Sequence, residues 1–271
     1  MMYFSCSSPY DYGIVTVKKF GDSFKITYHN VKRKSGWVSQ VDSENFKPND
    51  DISFSSDFSK LSNNISRAKN TIFELAKCNQ WDFFVTLTVD KTKIDRFDLK
   101  NYRQSFTRFI RHLREKYHSD IKYLIIPEKH KNGAWHFHGL LSGIPSSDLH
   151  LFDLSEKLPS YIRQKIMLGD DIYNWVSYSE KFGFCDIERI NDIDRICSYI
   201  TKYITKSLAN SVSGYYENMY YCSQGLNRSE KIGEFYPYDD IQSFLPWSYE
   251  NEYCKILWVH DLPKKILDRL T

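Results

Sequence analysis

The run Trp135-His136-Phe137-His138-Gly139-Leu140-Leu141 sets two imidazoles two positions apart in a β-prone stretch. Successive side chains of an extended strand alternate faces, so His136 and His138 share one face and Phe137 takes the other. Paired imidazoles suit a divalent cation. Glu128, eight residues before His136, adds a carboxylate just ahead of the turn signal Asn132-Gly133. Further on, Tyr199-Ile200-Thr201-Lys202-Tyr203-Ile204-Thr205-Lys206 spaces two tyrosines by one helical turn. A phenol is a competent nucleophile once it loses its proton. Lys202 and Lys206 fall on the same helical stripe as the tyrosines, where they position phosphates or balance charge. Taken singly, an H-x-H pair is more often polar surface or satisfied buried histidines, and a helical tyrosine more often flanks a core.

Turn geometry decides whether Glu128 joins the histidines. A two-residue Asn-Gly loop pairs Lys131 with Ala134, and so Glu128 with Phe137, on the wrong face. A three-residue loop, Lys131-Asn132-Gly133 with Gly133 left-handed, pairs His130 with Ala134 and Glu128 with His136. The second arrangement is the expectation. His130 reads as a basic turn residue.

The elements that position these residues follow from periodicity. Residues 10–40 read as short N-terminal strands, with Val15, Val17, Phe24, Ile26, Tyr28 and Val31 in partial alternation and a turn at Gly21-Asp22. Residues 42–60, rich in Ser, Asn and Asp, read as a linker, and a helix is expected over 61–78. Trp81 to Val89 is dense and apolar, a central strand with Thr86 and Thr88 on one face. A basic helix spans 98–117, with Phe106, Phe109, Ile110, Leu113 and Tyr117 as its apolar stripe. Strands are expected at 121–129, 134–141, 183–190 and 216–222. An insertion at 142–182 carries a helix near 160–168. Asp192 is the expected N-cap of a helix over 193–208, whose Ile193, Ile196, Ile200, Ile204 and Leu208 form a packing stripe beside the Tyr/Lys stripe. Tyr220 and Tyr221, adjacent on a strand, must face opposite ways. The order argues for an α+β fold, helices covering a sheet. Three segments are expected: a β-rich extension and linker (1–60), a core domain (61–222) and an acidic aromatic extension (223–271).

Composition adds bounds. Net charge is only +3 over 271 residues, but the basic residues concentrate in the middle of the chain and residues 232–254 carry acids without Lys or Arg. That pattern suits a local phosphate-binding surface, for which Arg103, Arg111, Lys129 and Lys131, with Thr86 and Thr88 nearer the site, are DNA-binding candidates. The six cysteines form no C-x-x-C pair, which points to reduced thiols and a cytoplasmic setting. No apolar run approaches membrane-spanning length, so no membrane partner is expected. A phosphate-loop motif is absent from the sequence.

With these motifs assembled, the chain resembles the HUH endonuclease superfamily, and more narrowly the rolling-circle replication initiators of small single-stranded DNA phages and related plasmids. The resemblance covers about residues 81–222. Phe83–Asp90 (FFVTLTVD) is similar to the first family motif, Trp135–Leu141 to the second and Tyr199–Lys206 to the third. It implies His136, His138 and Glu128 as ligands of Mg²⁺ or Mn²⁺, Tyr199 and Tyr203 as nucleophiles, and Lys202 and Lys206 as motif lysines. It also implies a five-stranded antiparallel core sheet, nicking of single-stranded DNA at a replication origin, a 5′-phosphotyrosine link and a free 3′-OH. Without a phosphate loop, a helicase and a DNA polymerase of the host would be the partners. A relaxase or transposase-type nickase, and a non-catalytic DNA-binding regulator, are the alternatives.

Overall fold

The computed structural model describes residues 13–29, 52–210, 219–236, 245–251 and 253–270, with side chains described over 64–203 in the long central segment. The chain divides into two units, residues 1–53 with 228–271, and residues 54–227. Among the described residues no helix is long and apolar enough to cross a membrane. Cys185, Cys197 and Cys254 are free thiols.

In the first unit, β1 (Ile14–Phe20) and β2 (Ser23–His29) form a hairpin closed by Gly21 at φ 57°. The C-terminal segment completes their sheet. β10 (Glu230–Phe235) pairs with β1, β12 (Cys254–Val259) with β2, and β11 (Tyr249–Glu250) with β12, all antiparallel, giving the order β10-β1-β2-β12-β11. Val15, Val17, Ile26 and Leu257 are buried in its core with Ile266 of the last helix, α6 (Lys264–Leu270).

The second unit is built on a seven-stranded antiparallel sheet. Its strands are β3 (Phe83–Thr88), β4 (Lys122–Lys129), β5 (Trp135–Ser142), β6 (Leu149–Leu151), β7 (Ile172–Trp175), β8 (Cys185–Arg189) and β9 (Tyr221–Cys222), in the order β6-β7-β8-β3-β5-β4-β9. The strands expected from the sequence correspond to β3, β4, β5, β8 and β9, and β6 and β7 of the insertion bring the sheet to seven. With its helices this is the α+β architecture expected. The insertion supplies more than a helix: β6, β7 and α4 (Val176–Lys181) extend the sheet, alongside α3 (Ser160–Met167).

Strand alternation sorts the core into two layers. Phe83, Val85, Leu87, Ile125, Phe137 and Leu141 face α2 (Leu99–Tyr117), which buries Tyr102, Phe106, Phe109, Ile110 and Leu113 against them. Asp98 caps α2 by accepting from the Asn101 amide at 2.9 Å. Phe84, Leu124, Ile126 and Leu140 face the other way, onto α1 (Ile52–Cys78) and α5 (Ile193–Asn210). The helix α1 starts at Ile52, inside the stretch expected as linker; in the sequence the helical spacing of Phe54, Phe58, Leu61 and Ile65 runs through and beyond the Ser and Asp residues that suggested a break. Ile72 and Ile200 lose all solvent contact in this layer, each burial contributing about 2 kcal/mol.

Candidate functional site

The β4–β5 hairpin turns through Lys131, Asn132 and Gly133. The His130 amide donates to the Ala134 carbonyl at 2.9 Å, the Gly133 amide to the His130 carbonyl at 2.8 Å, and Gly133 sits at φ 85°. This is the three-residue loop expected, and it sets Glu128 opposite His136 and Lys129 opposite Trp135. Glu128, His136 and His138 therefore share one face. On the neighbouring strand Thr86 pairs with His138 and Thr88 with His136.

Glu128 and His138 touch directly, with His138 Nε2 2.8 Å from Glu128 Oε2. His136 takes a different partner. Its ring stacks on His130 at 3.7 Å between centroids, so the residue read as a turn histidine is packed against the motif. Burial, then the neighbouring His130 and His138, bring the His136 pKa down to about 4. The imidazole is thus neutral at pH 7, with a lone pair available to a cation. Among the described residues no group of three His, Cys, Asp or Glu side chains gathers around one point. The donor types and their shared face nonetheless fit a divalent cation: two imidazoles and one carboxylate, with one imidazole–carboxylate pair already in contact.

The helix α5 lies over this face. Asp192 caps it, accepting from the Arg195 amide at 3.0 Å. Cys197 and Ile200 are buried and Ile193 and Ile196 pack beside them, which turns the tyrosine stripe toward the histidines. The Tyr203 ring stacks on His138 with centroids 3.9 Å apart and planes 18° from parallel. Its hydroxyl donates to the Tyr199 hydroxyl at 2.6 Å. Phe84 supports all three rings, at 5.5 Å from Tyr199 and 6.4 Å from Tyr203 and His138. Tyr199 is 42% exposed, whereas Tyr203 is half-buried. Burial, the hydrogen bond with Tyr199 and the nearby Glu128 and Asp186 carboxyls push the Tyr203 pKa well above the ordinary phenol value. Lys202 is exposed, its ammonium 5.9 Å from the centre of the Tyr199 ring. Lys206 belongs to α5, but its side chain lies outside the described residues.

A carboxyl not singled out from the sequence completes the arrangement. Asp186 on β8 is 3% exposed and pairs with Thr86 in register. It accepts a hydrogen bond from Tyr161 of α3 at 2.9 Å. Burial raises its pKa. The Thr86 hydroxyl stands 3.5 Å from Nδ1 of His138, and in register Thr86 lies between Asp186 and the motif histidine. Thr88 stands 3.4 Å from Nδ1 of His136. The sequence signal was an acid inside the apolar strand Cys185-Asp186-Ile187, on the face that Thr86 already marked.

The remaining DNA-binding candidates separate from the site. Arg103 and Arg111 belong to α2, on the opposite face of the sheet. Lys129 points away as well, its ammonium 5.3 Å from the centre of the Trp135 ring. Lys131 is exposed at the hairpin tip. Tyr220 and Tyr221 face opposite layers, as adjacent strand residues must.

A family model for replication-associated proteins of the ORF2 type matches residues 82–208. That span contains Glu128, both motif histidines and both motif tyrosines. Comparison with curated proteins finds no match, and comparison with solved structures finds none.

Proposed function

We propose that this chain is a rolling-circle replication initiator that nicks and rejoins single-stranded DNA through a phosphotyrosine link. The observation carrying the proposal is the stack of Tyr203 on His138, joined through hydroxyls to Tyr199. Two phenols, two imidazoles and a carboxylate meet on one face of one sheet, inside the span matching a replication-associated family.

Tyr199 takes the first step in this reading. It is the more exposed phenol, and its oxygen accepts the hydrogen bond from Tyr203. A hydrogen bond to an oxygen that becomes anionic strengthens as charge develops. The Tyr199 oxygen attacks the scissile phosphorus as its proton leaves; the P–O3′ bond breaks, and the leaving oxygen takes up a proton to become a free 3′-OH. The 5′-phosphate stays on the tyrosine, so the phosphodiester is exchanged rather than hydrolysed. Tyr203 is then available for a second exchange. His136, His138 and Glu128 would hold Mn²⁺ or Mg²⁺, which would supply positive charge at a non-bridging phosphate oxygen. Lys202 is placed to contact the strand beside Tyr199.

The test is incubation with a pool of random-sequence single-stranded DNA and Mn²⁺, followed by denaturing gel electrophoresis. A protein band shifted by bound DNA, lost when Tyr199 and Tyr203 are both changed to Phe, supports the reading. Cleavage without any protein-bound DNA would point to activated water and reject it.

A further inference from the structure

A cleft of about 860 Å³ opens between α2 and the β9 edge, on the face of the sheet away from the tyrosines. Arg103, Thr107 and Arg111 line one wall and Tyr221 and Gln224 the other. Positions four apart on a helix are displaced by about 6 Å along its axis, close to the step between successive phosphates of an extended strand. Arg103 and Arg111 thus stand two such steps apart, with the Thr107 hydroxyl between them. The Arg103 guanidinium lies 5.1 Å from the centre of the Tyr221 ring, within cation–π range.

The floor is braced. Arg114 donates to the Ile121 carbonyl at 2.9 Å and to the Ser223 hydroxyl at 3.1 Å, and the same hydroxyl accepts from the Tyr123 amide at 3.0 Å. Asp120, the one carboxylate of the lining, is 3.4 Å from the Lys122 ammonium. Lys100 and Arg108 carry the positive wall on into an adjoining depression without a carboxylate. Among the described residues no carboxylate pairs with Lys100, Arg103, Arg108 or Arg111. Cations stacked on aromatics along a track are the chemistry that holds a single nucleic-acid strand by phosphate and base.

We infer that this cleft is a second binding surface for single-stranded DNA, holding the strand by its phosphates away from the site of cleavage. The inference rests on the tyrosine-face reading only in taking DNA as the nucleic acid; the binding itself requires no cleavage.

The full chain with Tyr199→Phe and Tyr203→Phe separates the two, since it forms no adduct. Fluorescence anisotropy would compare oligo-dT of about 6 and about 30 nucleotides, because one such surface covers roughly 4–16 nucleotides. Corrected for the number of registers each strand offers to one site, the long strand is expected to bind at least 10-fold tighter. Adding Arg103→Gln and Arg111→Gln should abolish that advantage and flatten the slope of log affinity against log salt by about 1.4, two single-strand phosphate contacts. Melting temperature checks the fold, and Arg111→Glu, at an exposed helical position, serves as a second variant with the same expected loss. An advantage that survives the arginine changes would overturn the inference. So would equal competition by polyglutamate, which offers charge without phosphates or bases, or by duplex DNA. Length-dependent binding without any adduct from the unsubstituted chain would defeat the nicking reading and leave this one standing.

Discussion

Tyr203 lies flat against His138, ring centroids 3.9 Å apart, although 65 positions separate them in the chain. The contact ties the helix carrying the phenols to the strand carrying the imidazoles. It also makes the two tyrosines unequal, because Tyr203 commits its proton to Tyr199.

That inequality gives the first prediction. Tyr199→Phe should remove the initial DNA adduct. Tyr203→Phe, which keeps the ring stack and loses only the hydroxyl donor, should slow its formation on the order of tenfold, about 1.4 kcal/mol of barrier. Single-turnover adduct formation measures both. Equal loss in the two variants would contradict the assignment of Tyr199 as first nucleophile.

Asp186 stands behind His138 across Thr86, whose hydroxyl is 3.5 Å from the His138 ring. Groups that orient a metal-binding histidine from behind typically change metal affinity by about 10- to 100-fold. Asp186→Asn is expected to weaken Mn²⁺ binding by that order in calorimetry, with the melting temperature of the metal-free chain as a control. Unchanged affinity would reduce Asp186 to a packing role with Tyr161.

Stability should depend on pH through His136. Its folded pKa is about 4, against 6.5 for an unperturbed histidine. Between those values the unfolded chain binds more protons than the folded one, so stability falls as pH drops from about 6.5 to about 4. Below that window both states carry the proton and the loss is complete. His136→Gln should flatten this part of the melting-temperature profile. An identical profile in the variant would show that other groups govern the acid transition.

Gly139 follows the second histidine because no side chain fits there. A Cβ would meet the Leu124 carbonyl oxygen and the Ile125 Cδ1, each at 2.4 Å. Gly139→Ala should cost about 1–3 kcal/mol through overpacking. Thermal unfolding is expected to shift down by several degrees, at about 2–4 °C per kcal/mol for a domain of this size. No shift would mean the β4–β5 ladder yields more easily than its pairing suggests.

Much of this site was legible because its determinants are local. Alternation fixed the shared face of His136 and His138; Asn132-Gly133 located the turn but left two registers open, of which the expected three-residue loop brings Glu128 to the same face. Helical spacing in α5 separated Ile200 from Tyr199 and Tyr203. Long-range choices were not legible. The pairing of β10 with β1 and β12 with β2 joins opposite ends of the chain, and nothing in either short run names its partner. The stripe of α2 showed that one side of the helix is buried, but not which face of β3 would receive it, and so not that Arg103 and Arg111 stand away from the tyrosines. β6 and β7 are three and four residues long, too short for periodicity to register. Asp186 was missed because a lone acid in a strand looks like an edge charge until its neighbours Thr86 and Tyr161 are in place.

The most direct measurement is mass spectrometry of tryptic and nuclease-trimmed peptides after the unsubstituted chain has reacted with single-stranded DNA and Mn²⁺. The account predicts a nucleotide linked through its 5′-phosphate to Tyr199, with Tyr203 modified when a second cleavable strand is supplied. Modification confined to any other residue, or DNA cut with no nucleotide left on the protein, would contradict it.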